Sequence, residues 1–103
     1  MLFENWKGCD IMKMTQKQIF IGGLLLNHKE KGINVYEFIK AHKKDLEKQN
    51  IDTKKINSVN ATLASLATKE LATKTKVAYN EKMVTNYKPT ELLNKVINTK
   101  ENE

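Results

Sequence analysis

The sequence has no arginine, a single cysteine and no long hydrophobic run. All 18 basic residues are therefore lysines, and the chain lacks the guanidinium fork that most often reads guanine in DNA. Cys9 has no partner for an intrachain disulfide, which favours a reducing compartment, and we expect the cytoplasm. The longest apolar run, residues 19–26, is far shorter than the ~20 residues of a membrane span, so we expect no membrane partner.

The motifs of common catalytic and metal sites are also missing. There is no glycine-rich phosphate loop, nucleophile elbow or paired acid constellation. His28 and His42 stand apart from any cysteine and lack metal-ligand spacing, and we expect His28 near a helix C-terminus, where it favours the dipole. We therefore predict no enzyme activity, no cofactor and no metal.

The positive charge lies mainly in the C-terminal half. The 103 residues, 40% hydrophobic and 29% charged, predict one globular domain with a net charge of +6. From Thr53 to Thr90 there are seven lysines and only two glutamates. A basic region of this kind attracts phosphate backbones, although it is also compatible with an acidic protein partner.

Residues 1–13 differ from the rest of the chain, because their apolar positions do not repeat and they carry the only Trp and Cys. Two alternatives remain open. They are either an N-terminal arm that packs Leu2, Phe3 and Trp6 on the core, or an upstream translated segment before a natural start at Met12 or Met14. We expect a domain over residues 14–90, and a C-terminal helix with a short disordered tail over residues 91–103.

Two helices are predicted first. Thr15 with Gln18 forms a capping-box pattern and begins helix one, which extends to about Asn27. Its two central glycines predict close packing against another backbone. Asn34 with Glu37 forms a second capping-box pattern and begins helix two. The positions expected on its buried side are Val35, Phe38, Ile39, His42 and Leu46.

A third helix is predicted from about residue 56 to Lys69, with a cap at Asp52, Thr53 or Asn57. Its apolar positions recur at intervals of three and four residues, as in a helix packed on a core. The opposite face is unusual because it carries small and hydroxyl side chains where a solvated helix carries charges. These residues are Asn57, Ser58, Ala61, Ala64, Ser65 and Thr68.

A β-hairpin and a last helix follow. Residues 71–79 alternate with a period of two, residues 80–82 predict a turn, and residues 83–87 predict the returning strand. Thr90 is expected to cap the last helix. The apolar edge of that helix is expected either to pack on helix one or to form a homodimer contact, and it consists of Leu92, Leu93, Val96 and Ile97.

The sequence thus predicts an α+β fold, mainly α with a small β-hairpin. Val59, Leu63, Leu66, Lys69 and Leu71 resemble the pattern of the winged helix-turn-helix family, in which a recognition helix enters the wing through L-x-x-K-G-L. The sequence departs from that pattern at Glu70, where a glycine is usual. Residues 87–90, YKPT, are similar to the exit of the wing in bacterial regulators. The long interval between residues 32 and 57 looks more like the linker-histone type of winged domain.

The resemblance implies a three-helix winged helix-turn-helix with a C-terminal helix. It implies binding to double-stranded DNA, possibly AT-rich, and a transcriptional regulator of a bacterium or phage. Helix three would enter the major groove and the wing would contact the backbone. The candidate DNA-binding residues are Lys54, Lys55, Asn57, Ser58, Asn60, Ala61, Lys74, Lys76 and Lys82.

Other interpretations of the same residues stay open. The two asparagines are also suited to capping and hydrogen bonding within the fold, and the hairpin lysines to a solvated surface. The small face of helix three is also suited to contact with a protein. The alternative function is therefore a winged-helix protein–protein interaction module, for example a phage protein that binds a host transcription or replication factor.

Overall fold

The computed structural model describes residues 14–102, with side chains for residues 14–98. These residues form four α-helices and a three-stranded antiparallel sheet, which confirms the α+β class. The helices are α1 (Gln16–Leu25), α2 (Val35–Lys48), α3 (Ile56–Thr68) and α4 (Glu91–Asn102). The strands are β1 (Ile33–Asn34), β2 (Ala72–Tyr79) and β3 (Lys82–Pro89), in the order β1-β3-β2. The two alternatives for residues 1–13 lie outside the described residues.

α1 begins with the predicted capping box. Thr15 Oγ1 accepts a hydrogen bond of 3.1 Å from the Gln18 backbone N–H, and Gln18 Oε1 accepts one of 2.9 Å from the Thr15 N–H. The helix ends earlier than expected, and the 3₁₀ turn Leu26–His28 follows it.

The two glycines of α1 have different surroundings. A Cβ atom at Gly22 would lie 3.1 Å from Leu93 Cδ1 of α4, whereas one at Gly23 would meet nothing within 4 Å. The close-packing prediction was therefore wrong for Gly23. At Gly22 the neighbour is the Leu93 side chain and not a backbone. Because glycine has no side chain, α4 approaches α1 closely at this point.

α2 begins at the predicted cap, because Asn34 Oδ1 accepts a 3.0 Å hydrogen bond from the Glu37 N–H. The preceding strand β1 was not predicted. It pairs Ile33 with Tyr87 and Asn34 with Asn86 of β3. Gly32 makes this approach feasible, since its φ is 72° and a Cβ atom there would lie 2.7 Å from the Tyr87 carbonyl oxygen.

The predicted caps of α3 were wrong. Lys55 occupies the N-cap position, and no side chain caps the helix there. Asp52 Oδ1 instead accepts a 2.9 Å hydrogen bond from the Lys54 N–H in the preceding loop, so it stabilises the turn and leaves the first N–H groups of α3 uncapped. Asn57 lies inside the helix.

α3 ends where predicted, in a Schellman motif centred on Glu70. Glu70 has a φ of 64°, and its N–H donates to the Ala67 carbonyl at 3.0 Å. The Leu71 N–H donates to the Leu66 carbonyl at 2.9 Å, and both leucine side chains are buried. The chain therefore takes the left-handed turn that a glycine favours, although the residue is a glutamate.

The predicted hairpin is present and its turn is shorter than expected. Tyr79 pairs with Lys82, so Asn80 and Glu81 alone form the turn, with φ values of 49° and 67°. Positive φ at both positions is the signature of a type I′ turn, which suits the twist of the two strands. Lys82, expected in the turn, is the first residue of β3.

α4 packs on the rest of the chain through part of its apolar edge. Thr90 Oγ1 accepts a hydrogen bond of 3.4 Å from the Leu93 N–H, as the cap prediction requires. Leu93 and Ile97 are buried in the core, and Leu92 and Val96 pack against it half-buried. All four side chains therefore pack within the chain, and of these four only Leu92 and Val96 keep surface available to a second copy.

One hydrophobic core joins the helices and the sheet. Its largest fully buried side chains are Ile21, Leu25, Phe38, Leu46, Val59, Leu63, Leu66, Leu71, Tyr87 and Leu93. Over the described part of the chain, no helix combines the length and apolar character that crossing a membrane requires.

Candidate nucleic-acid interface

The exposed stripe of α3 is narrow and uncharged. Asn57, Ala61 and Thr68 are exposed, and Ala64 between them is half-buried. The opposite side of the helix, with Val59, Thr62, Leu63 and Leu66, is buried in the core. The unusual small face predicted from the sequence is thus most exposed along this stripe, and Ser58 and Ser65 beside it are half-buried.

One edge of the small face packs against α1. Ser58 Oγ accepts a 2.7 Å hydrogen bond from Lys17 Nζ, and Ser65 Oγ accepts one of 2.8 Å from Gln18 Nε2. The small hydroxyl side chains at this edge therefore serve the contact between two helices. Ser58, a predicted DNA contact, is half-buried and holds a lysine ammonium group.

Lys17 is a charge that the sequence reasoning missed. It lines a broad cleft between α1, the loop before α3 and the first turn of α3, together with Gln16, Phe20, Asp52 and Lys55. Nothing in the local sequence around Lys17 distinguishes it from other surface lysines. Its place beside α3 depends on how two distant helices pack, and only the folded chain shows it.

Asn60 joins α3 to the sheet. Its Oδ1 accepts a 2.8 Å hydrogen bond from the Tyr87 hydroxyl. Burial raises the pKa of the Tyr87 hydroxyl above its ordinary value of 10.0, so this group stays protonated at neutral pH and donates. The bidentate adenine contact predicted for Asn60 needs both Oδ1 and Nδ2, and Oδ1 already has a partner within the fold.

Two lysines and one aspartate, Asp52, lie directly before the N-terminus of α3, so the charge there is positive on balance. Lys54 and Lys55 are exposed directly before the helix, and its first turn holds no acidic residue. The uncapped N–H groups and the helix dipole add partial positive charge at the same end. This end of α3 is consequently favourable for an anion such as a phosphate group.

The hairpin lysines lie on two different faces of the sheet. Lys74 pairs with Tyr87 and Lys76 with Thr85, and paired residues of antiparallel strands point to the same side. Because the Tyr87 hydroxyl contacts Asn60, this face of the hairpin is directed towards α3. Lys82 pairs with Tyr79, which lies five residues after Lys74 in β2 and therefore points to the other side of the sheet, so Lys82 lies on the opposite face.

A shallow groove brings Asn57 and Lys76 together. It has a volume of about 200 Å³ and lies between the start of α3, the start of α2 and the hairpin. Lys76 Nζ donates a 3.1 Å hydrogen bond to Thr85 Oγ1 across the two strands. The lining residues are Val35, Tyr36, Ile56, Asn57, Asn60, Lys76, Met83, Val84 and Thr85.

Two apolar side chains at this groove were not predicted as site residues. Met83 is 64% exposed and Tyr36 is 40% exposed. The Tyr36 ring is stacked on Tyr79 with parallel planes and a centroid separation of 5.6 Å. The stack links the start of α2 to the hairpin, and Tyr36 is the aromatic residue of the groove lining.

Comparison with known proteins identifies no relative of this chain. No family model, no curated protein and no solved structure matches the chain. The arrangement of its own side chains is therefore the basis for a functional assignment.

Proposed function

We propose that the chain is a winged-helix protein that binds double-stranded DNA, with α3 in the major groove and the hairpin lysines on the phosphate backbone, and that it regulates transcription. The observation that carries the proposal is an uncharged stripe of small side chains bordered by lysines. We call this region the basic α3 surface, and it consists of Lys54, Lys55, Asn57, Ala61, Thr68, Lys74 and Lys76.

The order of the elements supports the winged-helix assignment. Three helices are followed by a hairpin, as in the family that the sequence resembles. The left-handed φ of 64° at Glu70 also supports it, since the family pattern usually has a glycine at this position. The chain thus has a glutamate at the helix-to-wing turn, where the family pattern has a glycine, and its backbone still takes the left-handed conformation.

Small side chains suit an approach to DNA. The major groove is about 12 Å wide and admits an α-helix, which itself has a diameter of about 10–12 Å, so bulky exposed residues hinder close contact. Asn57 offers an amide for the N6 and N7 edge of adenine, and Ala61 and Thr68 offer methyl groups for the thymine methyl. Without arginine, these contacts favour AT-rich sites.

The charge distribution suits a polyanion. Neither residues 53–69 nor residues 71–80 include an aspartate or glutamate, so α3 itself is uncharged and every charged residue within these two ranges is a lysine; Asp52 and Glu70 lie just outside them. Lys54 and Lys55 border one end of the stripe, and Lys74 and Lys76 lie on the hairpin face directed towards it. Four phosphate contacts would make the logarithm of affinity fall with the logarithm of salt with a slope of about −4.

The test is a titration of fluorescently labelled AT-rich duplex by anisotropy at about 50 and about 200 mM salt. We expect the affinity of the wild type to fall about a hundredfold between the two conditions. The Lys74→Ala, Lys76→Ala double variant should bind more weakly at low salt, with a slope reduced by about two. Lys82→Ala should have a smaller effect, because Lys82 lies on the other face.

A matched control removes two exposed lysines outside the basic α3 surface, Lys29 and Lys40, and so lowers the net charge by the same amount. If the control weakens binding as much as the hairpin variant, attraction by net charge explains the affinity. If the duplex does not bind even at low salt, the proposal is wrong and the protein–protein interaction module becomes the better account of the small face.

A further inference from the structure

Two histidines that are distant in sequence meet at one point of the fold. His28 ends the 3₁₀ turn after α1, and His42 lies in the middle of α2. Their Nε2 atoms are 2.9 Å apart, and the rings are nearly perpendicular, with an interplanar angle of 78°. These are the two histidines of the chain, and the sequence spacing alone gave no reason to expect their contact.

The backbone of α2 is distorted at this point. His42 has φ and ψ of −120° and 22°, which are not helical values, so α2 is kinked at the residue that contacts His28. The His42 ring also lies 5.0 Å from the ring of Phe38, which is fully buried. The pair is therefore anchored to the core on one side and half-exposed on the other.

We propose that His28 and His42 form a two-histidine site for a divalent transition metal, with Cu²⁺ preferred over Zn²⁺. Imidazole nitrogens are common ligands for these ions, and the Irving–Williams order favours Cu²⁺ at a nitrogen site. The Nε2–Nε2 separation of 2.9 Å brings both nitrogens within reach of one ion.

Binding requires a small rearrangement. The ring centroids are 5.1 Å apart, so the rings are aligned almost end to end and share one N–H···N hydrogen bond. The rings must turn until both lone pairs point to one ion, which then replaces the shared proton. In the part of the chain that the structure describes, no third His, Cys, Asp or Glu completes the set, so water fills the remaining positions.

The test uses CuCl₂ and the full chain carrying Cys9→Ser, which removes the one thiol. We expect one Cu²⁺ per chain, a higher melting temperature with the metal, and nitrogen hyperfine splitting in the electron paramagnetic resonance spectrum. His28→Gln and His42→Gln should each weaken binding at least tenfold. Lys29→Gln, beside His28, is the matched control and should leave the affinity unchanged.

Isotope labelling tests the proposal without disturbing the fold. In a chain whose histidines alone carry ¹⁵N, the hyperfine pattern should change from that of ¹⁴N to that of ¹⁵N. An unchanged pattern, or equal Cu²⁺ affinity in the two histidine variants and the parent, would show that the pair is only hydrogen-bonded. DNA binding is measured separately, so either function can fail while the other stands.

Discussion

The Tyr87 hydroxyl and Asn60 Oδ1 are joined by a 2.8 Å hydrogen bond that connects the central strand of the sheet to the middle of α3. Tyr87 is only 2% exposed and pairs with both β1 and β2 through its strand. The bond therefore sets how α3 is held against the hairpin, and with it the distance between Asn57 and the wing lysines.

This bond can be measured with a double-mutant cycle. We expect Tyr87→Phe to lower the free energy of unfolding by about 1 kcal/mol, and Asn60→Ala to lower it by about 1–3 kcal/mol, because the buried hydroxyl then lacks its acceptor. The double variant should cost no more than Asn60→Ala alone, which gives a coupling energy of about 1 kcal/mol in urea denaturation. Additive effects would contradict a direct bond.

The two asparagines of α3 should behave differently towards DNA. Asn57→Ala is expected to reduce the discrimination between an AT-rich site and a mutated site by about 1–3 kcal/mol, since an exposed amide that reads adenine is removed. The matched variant Asn60→Ala should mainly reduce stability and leave discrimination unchanged. Competition titrations with the two duplexes check this, and equal behaviour of the two variants would contradict the assigned roles.

Glu81 at the hairpin turn lies in a conformation that suits glycine better. With a φ of 67°, its Cβ atom strains the backbone, so Glu81→Gly should raise the free energy of unfolding by about 0.5–1 kcal/mol. Glu81→Gln is the control, because it removes the same charge and keeps the Cβ atom. A stabilisation by Gln equal to that by Gly would show that charge, and not the backbone, is responsible.

Stability should decrease in mild acid when a chelator keeps metal away. Folding lowers the pKa of both His28 and His42. Well above pH 6.5 both histidines are neutral in the folded and unfolded chains, so their full contribution to the free energy of unfolding is present. As the pH falls below 6.5, the unfolded chain binds protons first, and stability is lost until the folded-state pKa values are passed.

Denaturation of wild type and His42→Gln between pH 7 and about pH 5 measures this effect as a difference. Besides burial, His28 lowers the pKa of His42 and Asp45 raises it, and both of these neighbours are present in both proteins. Parallel pH profiles for the two proteins would contradict the prediction.

Local signals made most of the elements predictable. Capping patterns at Thr15, Asn34 and Thr90 each gave a helix start that the hydrogen bonds confirm. The alternation in residues 71–79 predicted β2, because successive side chains of a strand point to opposite faces and so repeat every two residues. β1 was missed, since a strand of two residues is too short to show a period and forms only because β3 lies beside it.

The candidate site was predictable only in its composition. Sequence reasoning identified a small, uncharged face with lysines around it, but not which part of that face is exposed. The side chains of Ser58 and Asn60 are hydrogen-bonded to Lys17 and Tyr87, respectively. These partners are distant in the chain, and no local pattern reveals them. The same holds for His28 and His42, whose contact depends on how the 3₁₀ turn after α1 meets the middle of α2.

The most direct test of the claim that α3 contacts DNA introduces one negative charge on its exposed stripe. Ala61→Glu adds a carboxylate at an exposed helical position, and Ala41→Glu makes the same change at an exposed position of α2. We predict that Ala61→Glu lowers affinity for AT-rich duplex on the order of a hundredfold at low salt, because its carboxylate would meet the phosphates, while Ala41→Glu changes it only slightly. Equal affinities for both variants, with both folded by circular dichroism, would show that α3 does not contact DNA.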